Sequence, residues 1–493
     1  MSSAFSAPSN AVISDRSAGT VVTSAAGDAL GAPHEFGGPL KGSTRLGMTG
    51  GGGFAWKPGE WTDDTQMALA ILTALATGDR GVGAVQEGFL GWFASGPRDV
   101  GSQTSAVLRL GAPLVESAAS YQVRNPESAG NGGLMRIGPA GLSFPGQPEG
   151  IATYARGVTE LTHPHIDCLD ASVLWAVAID HTIHAAPPSD ETWDFAEAVR
   201  SAVALIPEER RARWMQLIDE ACERPAVDFY RTNGWVIHAF QAALSAIVRT
   251  PVPDGPAPCT HLVAAVEAAV RSGGDTDSVA AIAGSLLGAR WGATAVPLEW
   301  TSVLRGKRLY GEPELTAADV DALARRAAQG GHTDKAGWPG VAHLVPHYLE
   351  QWEPGPAPVK LGGVQFGGIG GLAPALAGGA DVVVSLCRMG TQDVPPGVEH
   401  QVVGLIDRGP GDNPNLAFVL ADTADFIASR ADAGRSVYVH CVAAQNRTPT
   451  IAAAFLARHR EMSADRALDA AEAALRHRPS ALFAEGVRQA ATV

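Results

Sequence analysis

The chain has 493 residues, which is too long for one ordinary domain, so two or three domains are expected. Its formal net charge is −14 and its Lys and Arg residues form no block, which argues against a grip on nucleic acid or on an anionic membrane surface. No apolar stretch is long enough to span a membrane, and the five scattered cysteines indicate reduced thiols in a cytoplasmic protein.

The larger, N-terminal part of the chain is predicted to be mostly helical. Residues 1–17 are rich in Ser and Ala and are expected to form a flexible tail. Residues 18–345 contain Ala-, Leu- and Val-rich segments that Gly and Pro separate, which favours a helix bundle. The spacing of Gly284, Gly288 and Gly292 predicts close helix packing inside it. The clearest predicted helices are Ala171–Ala186, Phe195–Leu205, Trp235–Val248 and Leu262–Val270.

The composition changes after residue 345. Residues 346–358 contain several prolines and are predicted to be a linker. Residues 359–493 alternate between strands and helices, which favours a small α/β domain with a central, mostly parallel sheet. The predicted strands are Asp381–Leu386, His400–Ile406 and Ser436–His440, and the predicted helices are Asn415–Ala433 and Pro449–Arg458.

Two acidic clusters, far apart along the chain, are interpreted as one metal site. Each combines carboxylates and a hydroxyl where an apolar helix is about to begin: Thr62, Asp63 and Asp64 in the first, and Asp275, Asp277 and Ser278 in the second. Hard oxygen donors on a rigid helix start are the ligands that Mg²⁺ or Mn²⁺ requires. Taken singly, each cluster is also explained by helix capping, because Asp and Thr are preferred N-caps.

Three further motifs accompany the clusters along the chain: Gly27–Gly31 followed by Glu35, then Gly130–Arg136, then Leu161–His165. In this order and spacing, residues 18–345 resemble the ADP-ribosylglycohydrolase family. The resemblance implies an all-α fold and hydrolysis of an N- or O-glycosidic bond to ADP-ribose, with free ADP-ribose as the product. Whether arginine, serine, a nucleic-acid end or a small molecule carries the ADP-ribose stays open.

The resemblance also assigns roles to residues. The hydroxyls and carboxylates of the two clusters would ligate two Mg²⁺ or Mn²⁺ ions, which hold the distal ribose and lower the pKa of the attacking water. Glu35 and Asp63 would act beside the scissile bond. The glycine-rich motif would wrap the diphosphate with backbone N–H groups, and His163 would contact the adenosine portion. The substrate-binding candidates are Asn131, Gly132, Gly133, Met135 and His163.

A second chemical motif lies in the α/β region. The last predicted strand leads into a loop that opens with Cys441 and closes with Arg447 and Thr448, and a helix follows. A loop curled against a helix N-terminus directs N–H groups inward and makes an anion site, in which Arg447 can clamp phosphate and Cys441 can act as a thiolate nucleophile. The pattern resembles the dual-specificity group of cysteine-dependent phosphatases, over residues 358–493.

These phosphatases also need a carboxylic acid that protonates the leaving oxygen. Asp407 closes a predicted strand, whereas Asp412 lies nearer the expected distance before Cys441, so both stay candidates with Asp407 first. Thr448 would donate a hydrogen bond to the departing thiolate. Ala444 stands where the family usually has Gly, and this departure bears on turnover more than on the fold.

The sequence therefore predicts a bifunctional hydrolase: a metal-dependent ADP-ribosyl hydrolase joined to a phosphatase that needs no cofactor and acts on a phosphorylated substrate. The alternative is a binding protein that recognises ADP-ribose or a phosphate, with an inactive phosphatase-like domain. Whether both domains treat one substrate is left open.

Overall fold

The computed structural model describes residues 7–186, 193–353, 355–408 and 410–493, which form two compact units. The second unit includes residues 333–358, which the sequence assigns to the end of the helical domain and to a linker. The first unit comprises Met1–Val252, His261–Val296 and Val303–His332, and the second comprises Pro253–Thr260, Pro297–Ser302 and Thr333–Val493.

Helices dominate the described chain, as predicted, and each of the four helices predicted for the first region has a counterpart with shifted ends. In chain order the α-helices are α1 Asn10–Gly31, α2 Asp63–Ala76, α3 Val82–Ala94, α4 Ser102–Leu108, α5 Leu114–Arg124, α6 Pro148–Glu160, α7 Ile166–His184, α8 Phe195–Ser201, α9 Glu208–Glu223, α10 Val236–Val248, α11 His261–Arg271, α12 Thr276–Trp291, α13 Leu298–Thr301, α14 Ala317–Ala328, α15 Val345–Gln351, α16 Leu372–Ala377, α17 Leu416–Asp432, α18 Arg447–His459, α19 Ala464–Leu475 and α20 Ala481–Ala490. Within the described ranges, no helix combines the length and apolar character that crossing a membrane requires.

The first helix corrects the prediction of a flexible tail up to residue 17. Residues 10–17 are the first turns of α1, where the Ser9 hydroxyl caps the helix by accepting the N–H of Val12 at 3.4 Å. Val12 and Ala18 are buried, so the helix is held by packing from its first turn. Residues 1–6 lie outside the described residues.

Helices α1 and α12 pack unusually closely because glycines occupy their contact. A Cβ atom at Gly288 would lie 2.0 Å from the carbonyl oxygen of Gly19, and one at Gly284 would lie 2.5 Å from that of Thr23. Backbone therefore meets backbone where side chains would normally separate the helices. This confirms the close packing predicted from the glycine spacing, and it brings the end of α1 to the start of α12.

The second unit contains a five-stranded sheet in the order β3-β4-β7-β5-β6, in which only the β3–β4 pair is antiparallel. The first unit has one short antiparallel pair, β1–β2. The strands are β1 Arg305–Gly306, β2 Leu315–Thr316, β3 Val359–Leu361, β4 Val364–Gly367, β5 Val382–Ser385, β6 Glu399–Val402 and β7 Val437–His440. The small, mostly parallel sheet is therefore confirmed, although the β3–β4 hairpin was not predicted.

Strand β6 ends at Val402, earlier than the predicted end at Ile406. The Asn413 side chain accepts the backbone N–H of Ile406 at 2.9 Å and donates to its carbonyl oxygen at 2.8 Å. A side chain thus takes the two backbone groups that a sheet neighbour would otherwise bind. The predicted strands Asp381–Leu386 and Ser436–His440 and both predicted helices of this region are confirmed in type.

Residues 345–351 are a helix that packs on the second unit. The Asp393 carboxylate accepts the N–H groups of Leu344 at 2.9 Å and Val345 at 3.2 Å, and so caps α15. The Tyr348 hydroxyl donates to the carbonyl oxygen of Arg388 at 3.0 Å, and Val345 and Tyr348 pack on the core of the unit. These contacts join the first half of the predicted linker to the second unit.

Candidate active site

The two acidic clusters occupy the first turns of α2 and α12. Asp63 and Asp64 are the first two residues of α2, Asp275 is the N-cap residue of α12, and Asp277 lies in its first turn. The unpaired N–H groups of a helix N-terminus favour negative charge nearby, which helps these helices hold buried carboxylates.

Asp28 fixes the start of α2 from within α1. Its carboxylate accepts the backbone N–H of Thr62 at 2.9 Å, the backbone N–H of Thr65 at 3.1 Å and the Thr65 hydroxyl at 2.6 Å. Burial raises the pKa of Asp28 to about 6, and these hydrogen bonds act in the opposite direction. Because its oxygens are used in this way, Asp28 is a positioning residue for the first acidic cluster.

Asp275 is held by two asparagines. Asn233 Oδ1 accepts the Asp275 backbone N–H at 2.9 Å, and Asn131 Nδ2 donates to Asp275 Oδ2 at 2.7 Å. The preceding Gly274 has φ +77°, and a Cβ there would lie 2.4 Å from Asn233 Oδ1, so glycine is required at this turn. The Asn131 contact joins the glycine-rich motif to the second acidic cluster.

The residues of this site fit a divalent cation. Glu35, Asp275 and Asp277 each offer one carboxylate oxygen, and the three oxygens lie within 4.8 Å of one another. Asp64 Oδ1 is buried and has no hydrogen-bond partner among the described residues. A buried, unpaired carboxylate oxygen is costly unless an ion or water satisfies it, and carboxylate oxygens are the donors that Mg²⁺ and Mn²⁺ prefer.

The repulsion among the carboxylates of the site also favours a bound cation. Burial, followed by the neighbouring carboxylates, raises the pKa values of Asp63, Asp64 and Asp277 far above the ordinary value. Burial and the charges of Asp275 and other carboxylates raise the pKa of Glu35 to about 9. Anions held this close repel one another, and a divalent ion among them would remove that repulsion.

Asp99 belongs to this set of carboxylates, although no sequence pattern singles it out. It lies in the connection between α3 and α4, and burial together with the charge of Asp275 raises its pKa to about 6. Its own charge contributes to the raised pKa values of Glu35 and Asp63. No motif surrounds Asp99, so only the fold reveals that it lies beside the site.

The two hydroxyl candidates of the clusters are buried at the same place. The Thr62 hydroxyl donates to Asp64 Oδ2 at 3.3 Å, and a hydrogen bond from Ser278 opposes the rise in the pKa of Asp64. The Ser278 hydroxyl also lies 3.7 Å from the sulfur of Met135, a predicted substrate-binding residue. All six predicted ligands therefore lie at the paired starts of α2 and α12.

The glycine-rich motif forms a loop, here called the glycine loop (residues 130–133), that rests on His163. A Cβ at Gly132 would lie 2.9 Å from Cε1 of His163, and one at Gly133 would lie 3.3 Å from its Cβ. The His163 ring is buried, and Nδ1 shares a hydrogen bond of 2.8 Å with the Thr162 hydroxyl. The resemblance assigns His163 to the adenosine portion, and in the structure its side chain lies against Gly132 and Gly133 of the glycine loop.

Arg136, at the end of the same motif, is fully buried. Its guanidinium lies 4.4 Å from the centre of the Phe89 ring and donates to the Thr162 hydroxyl. Arg136 is therefore held in the interior by Phe89 and Thr162 and is not exposed to bind a diphosphate. The backbone N–H groups of the glycine loop remain as the candidates for that contact.

The second predicted site lies where β7 meets α18. Cys441 directly follows β7, and the loop from Cys441 to Thr448, here called the cysteine loop, leads into α18. Within the described part of the chain, the backbone N–H groups of Val442 to Asn446 donate to no protein acceptor. The Thr448 hydroxyl accepts the Cys441 N–H at 2.8 Å and lies 3.2 Å from the Gly367 carbonyl oxygen, to which it donates. Thr448 thus closes the loop and directs its own proton to Gly367.

Asp407 lies beside this loop, whereas no described contact links Asp412 to it. Asp407 Oδ1 accepts a hydrogen bond of 2.6 Å from Asn446, and Asp407 Oδ2 lies 3.5 Å from Nε of Arg447. The Arg447 guanidinium also donates to the Leu386 carbonyl oxygen at 2.6 Å. A thiol, a guanidinium and a carboxyl group therefore lie near the ends of parallel strands.

Ala444 has a left-handed backbone at φ +54° and is fully buried. An alanine in this region is strained by roughly 1 kcal/mol relative to glycine. Glycine would therefore fit at position 444 with less strain than alanine.

The comparisons with known proteins agree on the first unit. A family model described as ADP-ribosylglycohydrolase matches residues 9–336. The chain is 29% identical over 296 residues to ADP-ribosylarginine hydrolase Tri1 of Pseudomonas putida (strain GB-1), covering 58% of this chain and 73% of the relative. It is also 29% identical over 300 residues to ADP-ribosyl-(dinitrogen reductase) glycohydrolase of Rhodospirillum rubrum, covering 59% of this chain and 91% of the relative.

A solved structure of an ADP-ribosylglycohydrolase-related protein complex is similar with a TM-score of 0.50 and 26% sequence identity. The similarity covers 65% of this chain and 99% of that chain.

Proposed function

Because the chain belongs to the ADP-ribosylglycohydrolase family, we propose that its first unit hydrolyses the glycosidic bond between ADP-ribose and an acceptor in a reaction that depends on Mg²⁺ or Mn²⁺. The observation that carries this proposal is the convergence of Glu35, Asp275 and Asp277 within 4.8 Å. The two relatives named above are a hydrolase and a glycohydrolase of ADP-ribosylated targets, which supports the same class of reaction.

Two divalent ions would be held by oxygen atoms at the starts of α2 and α12. Bound there, they would supply the Lewis acidity that orients the ribose hydroxyls and activates water. The unpaired Oδ1 of Asp64 and the mutual repulsion of the carboxylates support this assignment. The proposed ligands are Thr62, Asp63, Asp64, Asp275, Asp277 and Ser278.

The protein groups have separate tasks in the reaction. Water adds to the anomeric carbon as the bond to the acceptor nitrogen or oxygen breaks, and the departing atom gains a proton. Glu35, whose carboxylate lies with those of Asp275 and Asp277, would take a proton from the water or give one to the departing atom. Asp63 would stabilise positive charge on the ribose. The glycine loop would bind the diphosphate through backbone N–H groups, with Asn131 tying it to Asp275.

A panel of defined substrates tests this proposal. ADP-ribosylated arginine and serine peptides, and an ADP-ribosylated nucleotide, are incubated with the chain in Mg²⁺, in Mn²⁺ or in chelator. Release of ADP-ribose from at least one substrate, lost in chelator, is expected. Full activity in chelator would remove the metal assignment, and no release from any substrate would favour a protein that binds ADP-ribose without turnover.

We propose that the second unit is a cysteine-dependent phosphatase domain. The observation that supports this activity is the row of N–H groups from Val442 to Asn446, which donate to no acceptor among the described residues and which directly precede α18. Arg447 at the end of that row can bind two phosphate oxygens.

In the proposed reaction, Cys441 Sγ forms a bond to phosphorus as the bond from phosphorus to the substrate oxygen breaks. Asp407 gives that oxygen a proton, and Asp412 is the second candidate for this role. Water then breaks the sulfur–phosphorus bond and releases phosphate, with Asp407 taking the proton back. Thr448 and Gly367 keep the cysteine loop closed during both steps.

Binding without turnover is the competing function for the second unit, and the strain at Ala444 is the observation that favours it. Isothermal titration with phosphate and hydrolysis of a small aryl phosphate, measured on the same preparation, separate the two. Turnover that Cys441→Ser removes supports the phosphatase, whereas phosphate binding with no turnover supports the binding protein.

A further inference from the structure

Phe36 has a backbone and a side-chain position that the fold alone does not explain. Its φ is +62°, in the left-handed region that side chains other than glycine rarely adopt. Its ring is 73% exposed, so it adds nothing to the core. The strained backbone is fixed by a hydrogen bond of 2.7 Å from the Phe36 N–H to the carbonyl oxygen of Gly274, and Gly37 pairs with Gly274 beside it. Strain of this kind persists where surrounding contacts enforce it, and it concentrates at functional sites.

The strained backbone of Phe36 lies next to the residues of the proposed active site. Phe36 directly follows Glu35, whose carboxylate lies with those of Asp275 and Asp277, and its hydrogen-bond partner Gly274 directly precedes Asp275. The residue therefore joins the two loops that carry this carboxylate set, and it leaves an aromatic ring in solvent at their edge. Phe36 is thus an exposed aromatic residue that directly follows Glu35 in the chain.

An exposed aromatic residue that directly follows Glu35 favours one class of acceptor. The face of an aromatic ring attracts cations, and a guanidinium, which is planar, can stack on the ring while its N–H groups face carboxylates. A hydroxyl acceptor such as serine offers neither charge nor a plane. One similar protein is named as a hydrolase of ADP-ribosylarginine, so this acceptor chemistry occurs among the relatives.

We propose that Phe36 is a specificity-determining residue that contacts the acceptor side of the bond and selects ADP-ribosylated arginine over ADP-ribosylated serine. This inference rests on the proposed hydrolase function of the first unit. The ring acts on the departing guanidinium group, and the strained backbone holds the ring where that group must pass.

Four variants of the full chain test the proposal by separating the ring from the strain. Phe36→Tyr keeps the aromatic face, Phe36→Leu keeps apolar bulk without it, Phe36→Ala removes the bulk, and Phe36→Gly also relieves the backbone. The measurement is the ratio of kcat/KM for matched ADP-ribosylarginine and ADP-ribosylserine peptides in Mg²⁺. Where the serine peptide is not cleaved, its inhibition constant takes its place.

We expect the wild type to prefer arginine and Phe36→Tyr to keep that preference. The ratio should fall by about 3- to 30-fold in the Leu, Ala and Gly variants alike, as the loss of a cation–π contact predicts. An unchanged ratio in Phe36→Leu, or a wild type that prefers serine, overturns this inference while leaving the hydrolase intact. A wild type that cleaves neither peptide nor any other ADP-ribosylated substrate fails the proposed function instead. Thermal unfolding of each variant identifies any that does not fold, and Phe36→Tyr and Phe36→Leu, being closest in size, decide the outcome.

Discussion

A Cβ atom at Gly31 would lie 2.5 Å from the Cα of Asp277. The last residue of α1 therefore touches the backbone of the first turn of α12, with no room for any side chain. Glu35 follows four residues later, so this contact sets how close the Glu35 carboxylate comes to that of Asp277. The distance between the Glu35 and Asp277 carboxylates thus depends on Gly31, a residue that carries no functional group.

Gly31→Ala is expected to lower the stability of the first unit by about 2 kcal/mol, because an extra methyl group must push two backbones apart. It should also weaken Mn²⁺ binding by about tenfold, since the carboxylates move with the helices. Thermal unfolding and titration calorimetry with Mn²⁺ measure the two effects. Gly53→Ala is the matched control because a Cβ there meets nothing within 4 Å. Equal behaviour of the two variants would contradict the role of the contact.

Asp277→Ala is expected to reduce release of ADP-ribose by at least about 100-fold and to leave hydrolysis of an aryl phosphate unchanged, because it removes one anionic ligand from a buried site. Asp275→Ala should act in the same direction. Asp254→Ala, at an exposed position, provides the control. Both activities are measured on one preparation at several Mg²⁺ concentrations. Wild-type release of ADP-ribose by the Asp275 and Asp277 double variant in chelator would show that these residues hold no catalytic metal.

Alkylation should distinguish Cys441 from Cys387 in the second unit. Burial raises the pKa of the Cys387 thiol to about 12, so we expect iodoacetamide to modify it slowly at pH 6. Cys441 should react fastest, and vanadate should protect it by filling the cysteine loop. Cys441→Ser should still bind phosphate without turnover, whereas Arg447→Ala should lose both. Mass spectrometry of the modified peptides gives the rates. Similar rates for both cysteines, with no protection, would mean that the loop is not a working phosphate site.

Ala444→Gly should stabilise the second unit by about 0.5 kcal/mol, because glycine adopts φ +54° without the strain that alanine carries. Turnover of an aryl phosphate should rise if strain distorts the cysteine loop. Ala443→Gly is the neighbouring control, and it should destabilise by a similar amount because its backbone gains nothing from glycine. Chemical denaturation and initial rates are measured for both. A loss of stability in Ala444→Gly would count against the strain.

Asp422 should make the stability of the second unit depend on pH. Its carboxylate accepts the N–H of Leu298 at 2.9 Å, and burial raises its pKa to about 7. Since the unfolded value is about 4, the folded state holds the proton more tightly, and this stabilisation is lost as the pH rises from about 4 through 7. Asp422→Asn keeps the acceptor oxygen without the charge.

The Asp422→Asn variant should therefore be more stable than the wild type at pH 8 by on the order of 2 kcal/mol, with little difference at pH 4 to 5. Urea unfolding between pH 4 and 8 provides the measurement. Asp432→Asn, an exposed change on the same helix, should follow the wild-type pH profile. Parallel profiles for Asp422→Asn and the wild type would show that Asp422 is not the titrating group.

The place of the two acidic clusters at helix starts could be predicted from sequence because a local rule puts them there. Carboxylates at Asp63 and Asp277 stand at helix starts, and the apolar runs that follow reveal those starts. Asp99 has no such signal, since its relation to Asp275 exists only after α3 and α4 have packed. The choice between Asp407 and Asp412 is of the same kind, because chain distance ranks them nearly equally and only the fold shows that Asn446 contacts Asp407.

Two elements of the second unit, the β3–β4 hairpin and helix α15, were not predicted, and only the hairpin had a recognisable sequence pattern. Gly362 and Gly363 separate two short runs in which apolar residues alternate with polar ones, which is a hairpin pattern, and β3 and β4 are indeed joined there. Helix α15 carried a contrary signal, because the prolines around it indicate a linker. What makes it part of the unit is its capping by Asp393, a residue far along the chain.

The antiparallel contact of α1 with α12 also determines when the proposed hydrolase site can form during synthesis of the chain. Glu35, Asp63 and Asp64 leave the ribosome early, whereas Asp275 and Asp277 follow only after eleven helices have been made. A nascent chain that ends within α11 contains three of the six proposed ligands and lacks α12, against which α1 packs. Because such distant contacts form late, the proposed cation site would be complete only once α12 has packed on α1.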